Sequence, residues 1–310
     1  MFKSAKPLFM LCETPLHAGS GNELGVIDLP IQRERHTGFP KVEASGIKGC
    51  IRNSFENLKE DTINGASTQS KETIINLLFG PENGNEHGSA LSFTDGRLLL
   101  FPVKSIKGVF AWITCPRVLE KFRNELRFGG LQIPDALKEL PREKSATEQS
   151  NLFVKGNKIV LEEYTLDIKK SEQCSKLAEW ISENILPQDG MYGYLRNKMQ
   201  QDIVVLSDDE FRDFVTLSTE VITRIKIDNE KGTVKNGALF SEEYLPAESI
   251  LYSMVCASPI FSQNEEHQKL FENDERVMEV FQANMPEAIQ LGGNATIGKG
   301  LVRVVKYNEK

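Results

Sequence analysis

Apolar residues recur at helical spacing in several parts of the chain. A capping box at Ser207–Glu210 predicts the start of one helix, which ends near Leu217. Another helix is predicted to begin at Ser45-Gly46, because four apolar residues at i, i+4, i+8 and i+11 share one of its faces. These four residues are Ile47, Ile51, Phe55 and Leu58. Further helices are predicted over residues 72–79, 116–128, 172–186 and 265–282.

Shorter apolar runs bounded by turn residues predict strands. The predicted strands cover residues 7–12, 91–93, 98–103, 108–114, 152–154, 158–161, 203–206, 249–258, 288–291 and 301–306. Residues 94–97 are predicted to be the turn of a hairpin that joins strands 91–93 and 98–103. Two polar stretches, 134–150 and 188–200, are predicted to be loops.

A candidate protruding hairpin spans residues 221–240. Apolar or Thr side chains alternate with Arg224 and Lys226 over Val221–Ile227, residues 228–232 resemble a turn, and 233–240 can return as the second strand. Strands and helices mix along the chain without regular βαβ alternation. We therefore predict the α+β class, with one antiparallel core, as a single domain over residues 1–310 with long insertions.

Composition excludes several classes of protein. Of the 310 residues, 37 are Lys or Arg and 44 are Asp or Glu, so a net charge of -7 excludes a globally basic nucleic-acid binder. No apolar run is long enough to span a membrane or to form a signal-peptide core, which predicts a cytoplasmic protein with no membrane partner. The five cysteines are scattered without ligand spacing, so a cysteine zinc site is not expected.

Charge is unevenly distributed along this acidic chain. Residues 31–52 carry five basic and two acidic residues, and residues 101–127 carry six basic and two acidic residues. In contrast, residues 242–287 carry ten acidic and two basic residues. The basic segments can form local phosphate-facing surfaces, although charge blocks this weak are also typical of ordinary solvated faces.

The glycine-rich loop Gly293–Gly300 spells GxxxxGK, the start of a Walker A motif. The next position should be Ser or Thr to hold Mg²⁺, but here it is Gly300, and only ten residues remain for the required helix. We therefore do not expect an ATPase. Consecutive N–H groups and Lys299 can still form an anion-binding nest, and a plain hairpin turn is the alternative.

The predicted helix start at Ser45-Gly46 is a second candidate anion site. Free N–H groups and the helix dipole favour an anion there, and Lys48 and Arg52 lie four residues apart on one face. A solvated helix face explains the same residues equally well.

The long loop from His17 to His36 is the third candidate. Asp28 lies between Ile27 and Leu29 in its most apolar part, where a carboxylate is either desolvated and functional or caps a turn. His17, Asp28 and the distant Glu242, Glu243 and Tyr244 could supply a base, a metal ligand and an orienting group. The spacing alone does not establish that these residues meet.

Together these segments resemble one known family. The stretches His17–Gly21, Val26–Pro40, Ser45–Gly49, Gly237–Pro246 and the final glycine loop are similar to the RAMP superfamily. Within it, they resemble the repeated backbone subunits of type III-B CRISPR (Cmr) effector complexes. The segment DLPIQRERHTGFP is the most specific part, and the resemblance extends over the whole chain.

The resemblance implies a fold, a set of partners and an activity. The fold would be a ferredoxin-like, RRM-like palm with helical finger insertions and a thumb, for which hairpin 221–240 is the candidate. The partners would be a CRISPR guide RNA, a single-stranded target RNA, other copies of the chain in a filament, and other Cmr subunits. The activity would be endonucleolytic cleavage of the paired target RNA at regular intervals with a divalent metal, Mg²⁺ or Mn²⁺.

The resemblance also implies roles for individual residues. The key acidic residue would be Asp28, which is also the candidate metal ligand; the metal would bind weakly and only with RNA. The other catalytic candidates are His17, Glu242 and Tyr244, with Glu243 possible if the register slips by one residue. Guide-RNA contacts are predicted for Ser45, Lys48, Arg52, Gly293, Lys299 and Arg303.

Two other functions remain open at this point. One is a non-catalytic scaffold that only coats guide RNA, against which the intact loop around Asp28 argues. The other is a nuclease that processes CRISPR precursor RNA, which would act as a monomer on hairpin RNA.

Overall fold

The fold was analysed in a computed structural model that describes residues 4–21, 25–59, 63–66, 68–82, 87–228 and 230–307, without the side chains of 235–238. The strands in these ranges are β1 Ser4–Cys12, β2 Lys41–Val42, β3 Leu91–Phe93, β4 Gly96–Lys104, β5 Phe110–Thr114, β6 Ser145–Ala146, β7 Phe153–Lys155, β8 Lys158–Leu161, β9 Tyr164–Asp167, β10 Lys169–Lys170, β11 Ile203–Val205, β12 Glu220–Ile227, β13 Val234–Tyr244, β14 Ile250–Ala257, β15 Ala288–Gln290 and β16 Leu301–Lys306. The helices are α1 Ala44–Glu56, α2 Lys71–Phe79, α3 Pro116–Phe128, α4 Asp135–Lys138, α5 Glu172–Asn184, α6 Gly193–Gln201, α7 Asp208–Leu217, α8 Glu265–Leu270 and α9 Asp274–Asn284.

A large mixed sheet organises the molecule, in the order β10-β6-β11-β5-β4-β14-β1-β16-β15. From β5 to β15 the neighbouring strands are antiparallel, whereas β11 runs parallel to β5 and β10 runs parallel to β6. The mixture of helices with a mainly antiparallel sheet confirms the predicted class in this coarse form. The pair β12–β13 forms a separate two-stranded hairpin, as the alternation over residues 221–240 predicts, although Asn229 near its turn lies outside the described residues.

Strand β1 is an interior strand of the sheet, between β14 and β16, and is buried on both faces. On one face Phe9 packs edge-on against Phe122 of α3, with ring centroids 5.9 Å apart. On the other face Met10 and Ile47 of α1 lie close to Gly96. Burial on both faces explains why Leu8–Cys12 reads as a continuous apolar run and does not alternate.

Helix α1 begins one residue before the predicted Ser45. It buries Ile47, Ile51 and Phe55, as its apolar spacing predicts. Lys41 pairs with Asp95 at 3.0 Å, and the other oxygen of Asp95 accepts the Ala44 amide at 3.1 Å, so this carboxylate holds the start of the helix.

Four sequence predictions are wrong. The stretch 134–150 is not a loop throughout, because it contains α4 and β6. Strands β3 and β4 do not form a hairpin with each other. Both pair with the same edge of β14, and the Thr94 amide between them donates to the Met254 carbonyl, so the chain continues along that edge. The stretch 188–200 is not a loop throughout, since it contains α6. The predicted helix 265–282 is two helices, because Asn273 caps a new helix start by accepting the Arg276 amide at 2.8 Å.

The glycine-rich loop joins β15 to β16 and includes a short 3-10 turn at Ala295–Ile297. It is therefore an elaborated hairpin loop and not a strand-to-helix phosphate loop. Gly298 and Gly300 both have positive φ angles, of 76° and 75°. A Cβ atom at Gly300 would lie 2.0 Å from the Leu291 carbonyl oxygen, whereas nothing lies within 4 Å of the same position at Gly298.

This pair of glycines gives a matched test of the loop. Gly298→Ala should lower the free energy of unfolding by about 1 kcal/mol, because only the left-handed backbone is penalised. Gly300→Ala should lower it by about 3 kcal/mol, because the backbone clash is added to the same penalty. Urea unfolding of the two variants measures the difference, and equal losses would contradict the described loop.

Candidate active site and nucleic-acid interface

The loop around Asp28 is fastened to the outer edge of β13. Leu29 N–H donates to the Ser241 carbonyl at 3.0 Å, and Glu243 N–H donates to the Leu29 carbonyl at 3.0 Å. The loop thus adds a short parallel bridge to the hairpin on the edge that β12 leaves free. As a result Asp28, predicted from sequence as the key acidic residue, is placed at the base of the hairpin.

Asp28 is exposed, and its carboxylate is bonded to one residue. Its Oδ2 accepts the amide and the hydroxyl of Ser241, both at 2.8 Å, and the Asp28 amide donates to the Ser241 hydroxyl at 3.0 Å. The hydrogen bonds from the Ser241 amide and hydroxyl hold the pKa of the Asp28 carboxyl below its usual value. The carboxylate is therefore ionised near neutral pH, and it is a hydrogen-bond acceptor rather than a strong base.

Successive side chains of a strand point to opposite faces, so Glu242 and Glu243 lie on different sides of β13. Glu243 faces the Asp28 loop and is 2% exposed. It pairs with Arg33, accepts the Ile31 amide at 3.0 Å and accepts the Thr219 hydroxyl at 2.8 Å. Its carboxylate is thereby fully engaged in holding the loop. Of the two candidates for the late acid, Glu242 is the one that shares a face with Tyr244.

Glu242 and Tyr244 form a buried polar network with Arg224 and Asn294. The Tyr244 hydroxyl donates to Glu242 Oε2 at 2.5 Å and accepts from Arg224 and from Asn294, both at 2.8 Å. Arg224 also bonds Glu242 at 2.5 Å. Burial alone would raise the pKa of Glu242, but the hydrogen bonds from Tyr244, Arg224 and Asn294 outweigh it and hold the pKa below its usual value. Because Asn294 lies in the glycine-rich loop, the network ties that loop to the hairpin.

His17 lies against the Tyr244 ring, with ring centroids 5.5 Å apart. Its Nδ1 is 2.7 Å from the Glu243 carbonyl oxygen, which can only accept, so Nδ1 carries the hydrogen. In neutral His17 the other nitrogen, Nε2, is then a proton acceptor. Gly19 approaches this nitrogen so closely that a Cβ atom there would lie 2.7 Å from it.

A cleft of about 460 Å³ brings three predicted segments together. Its lining includes His17 and Gly19 from the first loop, Ser45 from the first turn of α1, and Gly293 from the glycine-rich loop. Gly293 N–H donates to the His17 carbonyl at 2.9 Å. The N-cap residue of α1, Glu43, makes no capping bond with its side chain, although Asp95 accepts the Ala44 amide. Backbone and small residues thus form part of the cleft wall, where a phosphate can approach the helix start. Larger side chains complete the wall, namely Leu29, Gln32, Val42, Glu43 and Leu291.

The predicted basic contacts do not line this cleft. Lys48 is half-buried and donates to Ser89 at 2.8 Å, and burial together with Arg52 lowers the pKa of Lys48. Lys299 lies over the Tyr244 ring, 5.0 Å from its centroid. Their assignment as RNA contacts stays a prediction.

The two predicted arginine contacts are engaged within the protein. Arg52 bonds Glu56 at 2.8 Å, the Gly80 carbonyl at 2.5 Å and Asn76 at 3.2 Å, which joins α1 to α2. Arg303 lies in a different cluster, with Tyr192 at 3.1 Å, Glu287 at 3.0 Å and Glu13 at 3.8 Å. Their roles in RNA binding also stay predictions.

The residues that the structure describes do not form a protein-held metal site. In the described part of the chain, no three His, Cys, Asp or Glu side chains are grouped as metal ligands would be. Asp28 offers a single carboxylate with one oxygen bonded to Ser241, and Glu242 is neutralised by Arg224. We therefore derive no chemical step through a metal.

Sequence reasoning missed Ser241 and Asn294, the partners of Asp28 and of the Glu242–Tyr244 pair. Neither has a sequence signal, because each acts through a contact between distant segments. The separation of Glu242 from Glu243, in contrast, follows from strand alternation and could have been predicted. None of the helices that the structure describes is both long and apolar enough to cross a membrane.

Comparison with known proteins gives a consistent result. A sequence profile of the RAMP superfamily matches residues 10–303. The chain is 36% identical over 293 residues to the CRISPR system Cmr endoribonuclease Cmr4 of Pyrococcus furiosus, covering 94% of this chain and 92% of that protein. It is 27% identical over 323 residues to the CRISPR system CMR subunit Cmr4 of Saccharolobus solfataricus, covering 98% and 97%.

Solved structures show the same relationship. The fold is similar to oligomeric Cmr4 from Pyrococcus furiosus, with a TM-score of 0.70, 28% identity and coverage of 99% of this chain and 98% of that one. It is also similar to a chain of the type III-B Cmr-beta complex bound to cognate target RNA, with a TM-score of 0.72 and coverage of 98% of each chain. That chain is 22% identical, so the likeness concerns the fold.

The contacts of Lys48 and Arg52 predict different outcomes for their alanine variants. Arg52→Ala should lower the free energy of unfolding by about 2 kcal/mol, because three internal hydrogen bonds from one charged group are lost. Lys48→Ala removes a single hydrogen bond, to Ser89, and should cost about 1 kcal/mol or less. Urea unfolding compares them, and the reverse order would contradict the structural role of Arg52.

Proposed function

The chain belongs to the RAMP superfamily, and on that premise we propose that it is a backbone subunit of a CRISPR RNA-guided effector complex. It holds guide RNA along the phosphate backbone and cuts the paired target RNA at regular intervals. Its partners are the guide RNA, the target RNA, other copies of itself and other Cmr subunits. The relatives named Cmr4, one of them called an endoribonuclease and one crystallised as an oligomer, support this proposal.

The strand order supports a ferredoxin-like, RRM-like palm. Strands β4, β14, β1 and β16 are consecutive antiparallel neighbours, with α1 between β1 and β4 in sequence and α9 between β14 and β16. Sheets of this type are common platforms for RNA. The β12–β13 hairpin is the thumb of this arrangement, and the helical insertions are the fingers.

One observation carries the assignment of cleavage: the exposed, ionised carboxylate of Asp28 on a loop fixed to the hairpin. RNA supplies its own nucleophile, the 2′-OH. Attack of the 2′-oxygen on the adjacent phosphorus forms a P–O bond and breaks the bond to the 5′-oxygen, which takes a proton from water as it leaves. A fixed acceptor such as Asp28 can orient the 2′-OH, and neutral His17 offers Nε2 as the group that takes its proton.

Glu242 and Tyr244 have positioning roles in this proposal. Both are buried, and the Tyr244 hydroxyl makes three hydrogen bonds within the protein. They act by holding Asn294 and the ring of His17, rather than by touching RNA. A divalent metal, completed by RNA phosphates at Asp28, remains a separate proposal that chelation of the assembled complex tests.

A non-catalytic scaffold is the competing function, and one observation favours it. Asp28 Oδ2 already accepts two hydrogen bonds from Ser241, which is also what a purely structural cap would do. The two functions differ in what they require of the negative charge. A structural cap needs an acceptor oxygen, whereas the catalytic role needs the carboxylate.

Asp28→Asn therefore separates the two roles of Asp28, as a catalytic group and as a structural cap. In the assembled complex it should lower the rate of target cleavage roughly 100-fold or more, with target binding unchanged, because the anionic acceptor is lost. Ser241→Ala is the matched control: it removes one donor to the same oxygen and keeps the charge, so cleavage should stay within about tenfold of the wild type.

Single-turnover cleavage of labelled target RNA gives the rates, and a filter-binding assay gives the affinity. If the Asn variant cut target RNA at the wild-type rate, Asp28 would be a structural cap and another group would carry the cleavage. The scaffold function would stand if the complex assembled with the wild-type chain left the target uncut.

A further inference from the structure

A second cavity, of about 340 Å³, lies beside α3 and shares no lining residue with the cleft that contains His17. Its apolar wall is formed by Phe39, Leu98, Val118 and Tyr252, all of which are largely buried. The two aromatic rings are fixed by edge-on contacts, Phe39 with Phe211 at 5.0 Å and Tyr252 with Phe122 at 4.7 Å. This wall is therefore formed before any ligand arrives.

Cationic side chains surround the opening of this cavity. Arg97 is paired with Glu34 and with Glu125, and Lys121 is paired with Glu125 at 3.2 Å. Arg117 is exposed, and its guanidinium has no hydrogen bond or ion pair to any residue that the structure describes. Unlike Arg97 and Lys121, Arg117 thus has no carboxylate partner among the described residues.

The exposed face of α3 adds polar groups to the same opening. Arg117, Lys121 and Asn124 lie at i, i+4 and i+7 and all line the cavity. His36, whose side chain is 68% exposed, lies on the other side. Arg117 and Lys121 belong to the basic segment 101–127, and no residue of that segment takes part in the proposed active site.

We propose that this cavity binds one nucleotide of single-stranded RNA, with the base on the apolar wall and the phosphate on Arg117. A volume of about 340 Å³ lies at the lower end of the range for small-ligand pockets. Base stacking on aromatic and apolar side chains is tolerant of sequence, and an unpaired guanidinium is suited to a phosphate. The loop of residues 28–40 links this site to Asp28.

The proposal rests on the proposed function only in taking RNA as the ligand class. Its test uses the full chain without guide or target, so a failure of cleavage by Asp28 variants does not affect it. The probe is 4-thiouridine monophosphate, which near-ultraviolet light couples to adjacent side chains. Peptide mass spectrometry then identifies the labelled segment.

Labelling is expected in residues 34–40, in α3 or next to Tyr252. Arg117→Ala should lower the yield roughly tenfold, because a charge-assisted contact to the phosphate is lost. Arg127→Ala is the matched control, since Arg127 lies on the same helix, is exposed and does not line the cavity. The nucleoside 4-thiouridine, which lacks the phosphate, should label as weakly as the Arg117 variant.

A second variant tests the cavity without changing its charge. Asn124→Trp places a large side chain at the exposed opening and should lower the labelling of the cavity segments as far as Arg117→Ala does. Equal yields from Arg117→Ala and Arg127→Ala, or labelling only outside the cavity, would overturn the proposal. An acidic protein segment would then be the occupant that these cations fit.

Discussion

The arrangement of the candidate site depends on the attachment of the Asp28 loop to strand β13. Ser241 and Glu243 bind the loop, through the Asp28 carboxylate and through Arg33 and the Ile31 amide. Loss of the Arg33–Glu243 pair would destabilise the fold most, because a buried carboxylate left without its partner costs about 3–5 kcal/mol. The loop therefore cannot detach without exposing or stranding a buried charge.

Strand alternation gives β13 a second set of contacts on its opposite face. Glu242 and Tyr244 point away from the loop and bind Asn294, so the glycine-rich loop is held by the same strand. His17 belongs to both sets, since Nδ1 bonds the Glu243 carbonyl and the ring packs on Tyr244. One strand thus fixes three segments that are distant in sequence.

Much of the fold follows from local sequence signals. Helix α3 has the predicted bounds, because Pro116 suits a helix start and the apolar period is regular. Two of the wrong predictions have different kinds of cause: strand pairing between distant segments, and a capping residue within a predicted helix. The edge of β14 accepts β3 and β4 in succession, which no local pattern near residues 94–97 indicates. Helix α8 ends at Leu270, and Asn273 caps the start of α9 three residues later.

The candidate site was predicted in part. The residue types were identified by resemblance, and the structure brings His17, Ser45 and Gly293 to one cleft. The partners Ser241 and Asn294 could not be predicted, because a lone Ser or Asn has no periodic or charge signal. The burial of Tyr244 and the internal contacts of Arg52 were also invisible to sequence, since both arise from packing between distant segments.

The central claim is that Asp28 orients the 2′-OH of the target RNA for attack on the adjacent phosphate. The most direct measurement is cleavage, by the complex assembled with the wild-type chain, of a target that carries a single 2′-deoxy nucleotide at one cut position. The account predicts that this one cut disappears while the cuts at the other positions keep their rates. Cleavage at the deoxy position at an unchanged rate would contradict it, because water would then be the nucleophile.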